Sequence, residues 1–136
     1  MAKPYSESEK SKMEPKDIVQ KAYDCFASGD METFASLWSD DAVIVVNGMH
    51  KFSGTYNGVG DWIVNMLAHM PTHFPGLEVV PLKMVEEDGH VFILTSVKAD
   101  GLDSLAGHYD VVEEGKIKEF HIFDDSQKLA HAMKAL

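Results

Sequence analysis

The chain has 136 residues, enough for one domain that buries a core without disulfides or a bound metal. It carries 22 acidic and 12 basic residues, a formal net charge of −10, and 45% of its residues are apolar. This balance excludes nucleic acid and anionic membrane surfaces as expected partners, because both require clustered Lys and Arg. A small apolar or weakly polar molecule suits the composition better.

Cys25 is the only cysteine, so no internal disulfide can form, and the expected compartment is a reducing one. Residues 1–13 are polar and lack the apolar segment of a secretion signal, and no apolar run approaches the ~20 residues of a membrane span. We therefore predict a soluble, cytoplasmic protein with a flexible tail over residues 1–13 and a single domain over residues 14–136.

Three helices are predicted in the first half of the chain. Apolar residues recur at helical spacing in each, and the predicted ranges are 15–28, 31–38 and 61–70. Gly29 is suited to a left-handed cap for the first helix and Asp30 to an N-cap for the second. Pro71 and Pro75 are expected to stop any further helix after the third.

Strands are predicted between the second and third helices and after the third. The β-branched run at residues 42–46 indicates a strand covered on both faces, and residues 50–56 would return beside it. The later predicted strands occupy residues 77–85 and 90–97, followed by a polar loop at 99–104, two strands within 105–125 folded over a turn at 113–116, and a last short helix. This order predicts an α+β domain, with a strongly curved antiparallel sheet, three N-terminal helices on one face and a pocket between them.

Several short motifs occur in the order and spacing of a known superfamily. They are ASGDME (27–32), LWSDDAV (37–43), GTYNG (54–58) and GKI (115–117). Over about residues 15–128 the chain resembles the nuclear-transport-factor-2-like superfamily, with its SnoaL-like and ketosteroid-isomerase-like members. The resemblance implies a cone-shaped fold and a homodimer through the open face of the sheet. It does not determine function, because this fold hosts isomerases, cyclases, hydrolases and non-catalytic binding modules.

The resemblance does not extend to the chemistry of ketosteroid isomerase. That enzyme uses an aspartate base, with a tyrosine and a neutral aspartic acid as hydrogen-bond donors. Ungapped counting places these three positions on Ala22, Val46 and Gly107, which have no proton to transfer. Polar residues lie one position further on, where a strand side chain would point to the opposite face; they are Tyr23, Asn47 and His108.

The last hairpin holds the candidate acid and base. If neither strand carries a bulge, Tyr109, Phe120, Ile122 and Asp124 share one face, and the resemblance implies that this face lines the pocket. Asp124, at the end of an apolar cleft, could then act as an acid or base. The alternative is that Asp124 is a solvated strand-end residue or caps the last helix together with Asp125.

Two histidines of the hairpin are further candidates. His108 and His121 would face each other across a two-residue turn, and either could act as a general base beside Asp110. A two-histidine metal site lacks a recognisable third ligand, so we predict no metal and no organic cofactor. The alternative places both histidines on a polar outer face or a dimer surface.

The leading hypothesis is a SnoaL-like protein that takes a small, largely apolar molecule into the cone. It would perform isomerisation, cyclisation or hydrolysis through Asp124 with Tyr109 or a nearby histidine. A non-enzymatic ligand-binding or protein-association domain of the same fold is the alternative. The predicted ligand-binding residues are Tyr23, Phe26, Trp38, Val46, Trp62, Met66, Met70, Phe120 and Ile122.

Overall fold

The structure, a computed structural model, describes residues 13–134. Its helices are α1 (Pro15–Ser28), α2 (Met31–Ser36), α3 (Val59–Asn65), α4 (Met70–His73) and α5 (Ser126–Ala132), with a 3-10 turn at Leu67–His69. Its strands are β1 (Trp38–Val46), β2 (Gly54–Asn57), β3 (Glu78–Glu87), β4 (His90–Ala99), β5 (Leu102–Glu113) and β6 (Lys116–Phe123). The predicted tail lies outside the described residues except for Met13, which packs against the core. No helix among these residues is both long and apolar enough to cross a membrane.

The six strands form one sheet in the order β2-β1-β6-β5-β4-β3. Strands β3 to β6 form an antiparallel meander, which brings β6 to the centre of the sheet beside β1. The β1–β6 pair is parallel, so the expectation of a wholly antiparallel sheet is wrong at this one pair. Its cause is the connection through α3 and α4, which carries the chain from one edge of the sheet to the other before the meander starts.

Bulges bend the sheet around the helices. The register shifts between Pro81 and Lys83 in β3, and at Lys118 in β6, which is an extra residue opposite Val111 and Val112 of β5. An extra residue in one strand increases the local twist and curvature. Helix α1 covers the curved face and packs against β3 and β4, burying Ile18 and Val19. The α+β fold with helices on one face is therefore confirmed.

Trp38 opens β1 instead of ending the second helix as predicted. Helix α2 stops at Ser36, and the Ile117 N–H donates to the Leu37 carbonyl at 2.9 Å. Pairing of Trp38 with Ile117 in β6 therefore overrides the helical spacing of its side chain. The later valines of β1, Val43 and Val45, are half-buried.

The third helix and the following loop also differ from the prediction. The single helix predicted for residues 61–70 is split, because Met66 has non-helical backbone angles. Pro71 lies in the first turn of α4, where its missing N–H is not needed, so the expectation that it stops every helix is wrong. The predicted loop at 99–104 is a tight turn at Asp100–Gly101, with Ala99 already paired to Leu102.

Candidate functional site

An apolar cavity of about 110 Å³ lies between the helices and the sheet. Four aromatic side chains from α2, β1, α3 and β6 form a contiguous wall, with the Trp38 and Trp62 rings 5.6 Å apart and the Trp62 and Phe120 rings 5.5 Å apart. The fourth, Phe34, lies 6.0 Å from Trp62. Such a wall favours a ligand that buries apolar, preferably flat, surface.

The cavity is lined by most of the residues that the sequence suggested as ligand contacts. They are Tyr23, Phe26, Trp38, Trp62, Met66, Met70, Phe120 and Ile122. Val46 does not line it: this side chain is buried in the core beside β6, where it pairs with Ile122. Binding by these residues stays a prediction.

The orientation of β5 is the opposite of the one expected from the sequence. Next to the turn, Val112 pairs with Ile117, but beyond the bulge Val111 pairs with Glu119, so Lys118 is an extra residue in β6. This shift turns His108 into the cavity and places Tyr109 on the outer face. The expectation that Tyr109 lines the pocket is therefore wrong, and so is the expected pairing of His108 with His121. Tyr109 pairs with His121 instead.

Tyr109 and His121 belong to an aromatic cluster on the outer face of the sheet, where both are half-buried. The Tyr109 hydroxyl lies 2.5 Å from His90 Nδ1, and its ring stacks on Phe92 with centroids 4.7 Å apart. His121 Nε2 lies 3.3 Å from Glu119 Oε1. Neither side chain lines the cavity.

Three polar side chains project from α1 and β5 into the cavity wall. The Tyr23 hydroxyl lies 2.5 Å from His108 Nδ1, and the planes of the two rings are almost parallel. Asp110, two residues after His108 on the same strand face, also lines the cavity. Its Oδ1 is buried and has no hydrogen-bond partner among the described residues.

Burial favours the neutral form of all three groups. It lowers the pKa of His108 to about 3 and raises the pKa of Asp110 well above its usual range, because both side chains are removed from water. Burial also raises the pKa of the Tyr23 phenol. The phenol O–H can donate to Nδ1 of the neutral imidazole, which leaves the ring proton on Nε2. The cluster therefore offers neutral hydrogen-bond donors without a fixed charge.

Asp110→Asn is expected to remove a pH-dependent cost of folding. Above the ordinary pKa of 3.8 the unfolded chain loses this proton while the folded protein keeps it, so the wild-type protein loses stability as pH rises toward the folded pKa. The Tm of Asp110→Asn minus the Tm of wild type should therefore increase from pH 4 to pH 8. A change of about 1 kcal/mol in the free energy of unfolding shifts Tm by roughly 4 °C. Calorimetry at each pH measures both Tm values, and Asp103→Asn, at an exposed position, is the control. A pH-independent difference would contradict the neutral state of Asp110.

Asp124 lines the cavity just beyond the end of β6. Its side chain is 8% exposed, its Oδ2 lies 3.4 Å from His50 Nε2, and its Oδ1 is buried without a hydrogen-bond partner in the described chain. The helix cap is Asp125, whose carboxylate accepts from the Lys128 N–H at 3.1 Å. Asp124 is thus neither the helix cap nor a solvated strand end, and Oδ1 is its oxygen without a hydrogen-bond partner among residues 13–134.

Sequence reasoning missed the roles of two residues at this site. The sequence indicates Asp110 only as the neighbour of a histidine, and His50 only as the first residue of the strand predicted at 50–56. An uninterrupted run of polar and apolar alternation cannot reveal a bulge, so the inward direction of Asp110 had no sequence signal. Within residues 13–134, no three His, Cys, Asp or Glu side chains converge as a metal site would require.

The sequence profile of the SnoaL-like domain matches residues 19–120. The chain belongs to the SnoaL-like domain family. A search of curated proteins found no match. The SnoaL-like chain is similar in structure to an NTF2-like protein of unknown function from Burkholderia pseudomallei K96243, with a TM-score of 0.80, 18% identity and coverage of 90% of this chain and 100% of that one.

Two further solved structures share the fold of this SnoaL-like chain. Bal32a, from a soil-derived mobile gene cassette, has a TM-score of 0.75, 18% identity and coverage of 95% of this chain and 100% of its own. A candidate polyketide cyclase from Sinorhizobium meliloti has a TM-score of 0.67, 16% identity and coverage of 81% and 99%. At these identities the likeness establishes the NTF2-like fold alone.

Proposed function

We propose that this protein binds a small, uncharged, largely apolar molecule in the cavity and catalyses acid/base chemistry on it. The observation that carries this proposal is that Asp124 lines an aromatic cavity while its buried Oδ1 has no hydrogen-bond partner among residues 13–134. A buried carboxylate oxygen without a partner is costly to maintain, and functional sites are where such costs are tolerated. The similarity to a candidate polyketide cyclase is compatible with a substrate of this class.

In the proposed reaction Asp124 is the base, and the Tyr23–His108–Asp110 cluster donates hydrogen bonds to the carbonyl oxygen of the substrate. Asp124 removes a proton from carbon next to a carbonyl group, and the electron pair moves to the carbonyl oxygen. Neutral donors stabilise the developing oxyanion, because they need no reorganisation in a dry site. Return of the proton from Asp124 to a different carbon completes an isomerisation. Attack of the carbanion on a second carbonyl carbon, with the proton passing from Asp124 to the new alkoxide oxygen, completes a cyclisation.

The positions of the groups support this division of roles. His108 pairs with Ile122, and Asp124 follows Ile122 by two residues, just beyond the end of β6; all three residues line the cavity. Base and donor therefore reach one cavity from neighbouring segments of the chain, and a bound substrate can contact both. No cofactor enters the proposed chemistry.

The elimination of 5-nitrobenzisoxazole tests the proposal without knowledge of the natural substrate. A base removes the ring C–H proton, the N–O bond breaks, and a coloured cyanonitrophenolate is released. We expect the wild-type protein to accelerate this reaction by at least about 100-fold over an equal concentration of acetate at the same pH, with saturation. A rate equal to that of acetate would favour the alternative, a binding domain without catalysis.

We further propose that two copies associate through the outer face of the sheet. Large apolar side chains are exposed there on neighbouring strands, including Phe92 (58% exposed), Leu105 (60%) and Phe123 (52%). Contiguous exposed apolar surface indicates a protein interface, and the family resemblance points to a second copy.

Phe92→Lys combined with Leu105→Lys is expected to convert a dimer into a monomer. Each lysine would have to be desolvated in the apolar contact, so association should weaken by at least about 100-fold. Sedimentation velocity measures the change, with Val64→Lys on the exposed side of α3 as control. A wild-type protein that sediments as a monomer would contradict the proposed dimer.

A further inference from the structure

We infer that His50 is a positioning residue for Asp124, which holds the carboxylate so that Oδ1 is the oxygen presented to the cavity. This inference rests on the proposed function of Asp124 as the base. His50 lies outside the last hairpin, in the turn between β1 and β2, 74 residues before Asp124 in the sequence. The two side chains are 3% and 8% exposed, so water scarcely competes for their contact.

The structure fixes the tautomer of the His50 ring. The backbone N–H of Phe52 donates to His50 Nδ1 at 3.1 Å. A backbone N–H can only donate, so Nδ1 carries no proton and the neutral ring bears its proton on Nε2. Nε2 is the atom 3.4 Å from Asp124 Oδ2. His50 is therefore a hydrogen-bond donor to one oxygen of Asp124.

The turn that carries His50 also holds the backbone of Asp124. Asn47 Oδ1 accepts from the Asp124 N–H at 3.0 Å, and Asn47 Nδ2 lies 3.4 Å from the Asp124 carbonyl. Ser53 ties this turn together, donating its hydroxyl to the Asn47 carbonyl and accepting from the His50 N–H, both at 2.9 Å. Main chain and side chain of Asp124 are thus held by the same short segment.

Two substitutions separate the two contacts of the His50 ring. In His50→Asn the amide oxygen can take the place of Nδ1 and keep the bond to the Phe52 N–H, but no group reaches Asp124. In His50→Gln the amide nitrogen can take the place of Nε2 and still donate to Oδ2. If His50 only stabilises the turn through Phe52, His50→Asn should retain more activity than His50→Gln. If His50 positions Asp124, His50→Gln should retain more activity.

With 5-nitrobenzisoxazole as the probe, we expect His50→Asn to lower kcat by at least tenfold while KM changes by less than threefold. His50→Gln should keep kcat within about threefold of wild type. A misdirected base slows proton transfer without weakening binding in an apolar cavity. Wild-type kcat in His50→Asn, or equal losses in both variants, would overturn the inference while leaving the proposed function intact.

The tautomer gives a test that does not depend on activity. In the 15N-labelled protein, long-range imidazole correlations should show His50 with a proton on Nε2 and none on Nδ1. Asp124→Ala should shift the Nε2–H resonance, because its acceptor is removed. A proton on Nδ1, or an unchanged resonance in Asp124→Ala, would overturn the contact on which the inference depends. An inactive wild-type protein with the expected resonances would instead overturn the proposed function.

Discussion

Asp124→Asn is expected to lower the rate of the nitrobenzisoxazole elimination by about 100-fold to 10,000-fold. Asparagine retains an oxygen that can accept from His50 Nε2–H, and its backbone contacts with Asn47 are unchanged, so the cavity wall keeps its shape. It has no carboxylate, however, and cannot remove the substrate proton. Stopped-flow or steady-state absorbance of the phenolate product measures the effect.

Asp125→Asn is the matched control for this substitution. It makes the same chemical change one residue along the chain, at an exposed helix cap where asparagine is as good as aspartate. Both variants should unfold within a few degrees of wild type, and Asp125→Asn should keep the wild-type rate. Full activity in Asp124→Asn would contradict the assignment of this residue as the base.

The second large expected effect is a loss of folding stability at acid pH, caused by His108. The folded pKa of about 3 lies below the ordinary value of 6.5, so the unfolded chain binds this proton first as pH falls. Stability is then fully present above pH 6.5 and is lost as pH decreases toward 3. Between pH 6 and pH 4 the loss amounts to roughly 2–3 kcal/mol, since each pKa unit corresponds to about 1.4 kcal/mol.

His108→Gln should remove this loss, because glutamine does not titrate. Urea unfolding of wild type and variant at pH 6, 5 and 4 gives the two slopes of unfolding free energy against pH, and their difference isolates His108 from the carboxylates. His131→Gln, an exposed histidine of α5, is the control and should keep the wild-type slope. Parallel slopes for wild type and His108→Gln would contradict a neutral, buried His108.

The fold was predictable from the sequence to a large extent. Helical spacing and the cap signals of Gly29 and Asp30 give α1 and the start of α2, and the structure shows both caps. Turns with a glycine at positive φ, such as Gly89 and Gly115, give the meander. The ends of helices and strands were less predictable where pairing with a distant strand determines them, as at Trp38.

Most residues of the candidate site were predictable from the sequence, but the directions of the β5 side chains were not. Side chains on α1 and on β6 beyond Lys118 face the cavity as their periodicity predicts, because these two stretches are regular. The single extra residue at Lys118 reverses the faces of β5 relative to β6, which exchanges His108 and Tyr109. The role of His50 was unpredictable for a different reason: its contact with Asp124 joins residues 74 positions apart in the chain, and no local pattern encodes it.

The most direct test of the central claim, that the cavity admits a small apolar molecule, is a titration of intrinsic fluorescence. Both tryptophans of the chain, Trp38 and Trp62, line the cavity, so a nitroaromatic that enters it must quench their emission. We predict saturable quenching by 5-nitrobenzisoxazole in wild type and in Asp124→Asn, and its loss in Ala106→Leu, which fills the cavity without changing a polar group. Quenching that is linear in concentration, and equal in wild type and Ala106→Leu, would contradict the account.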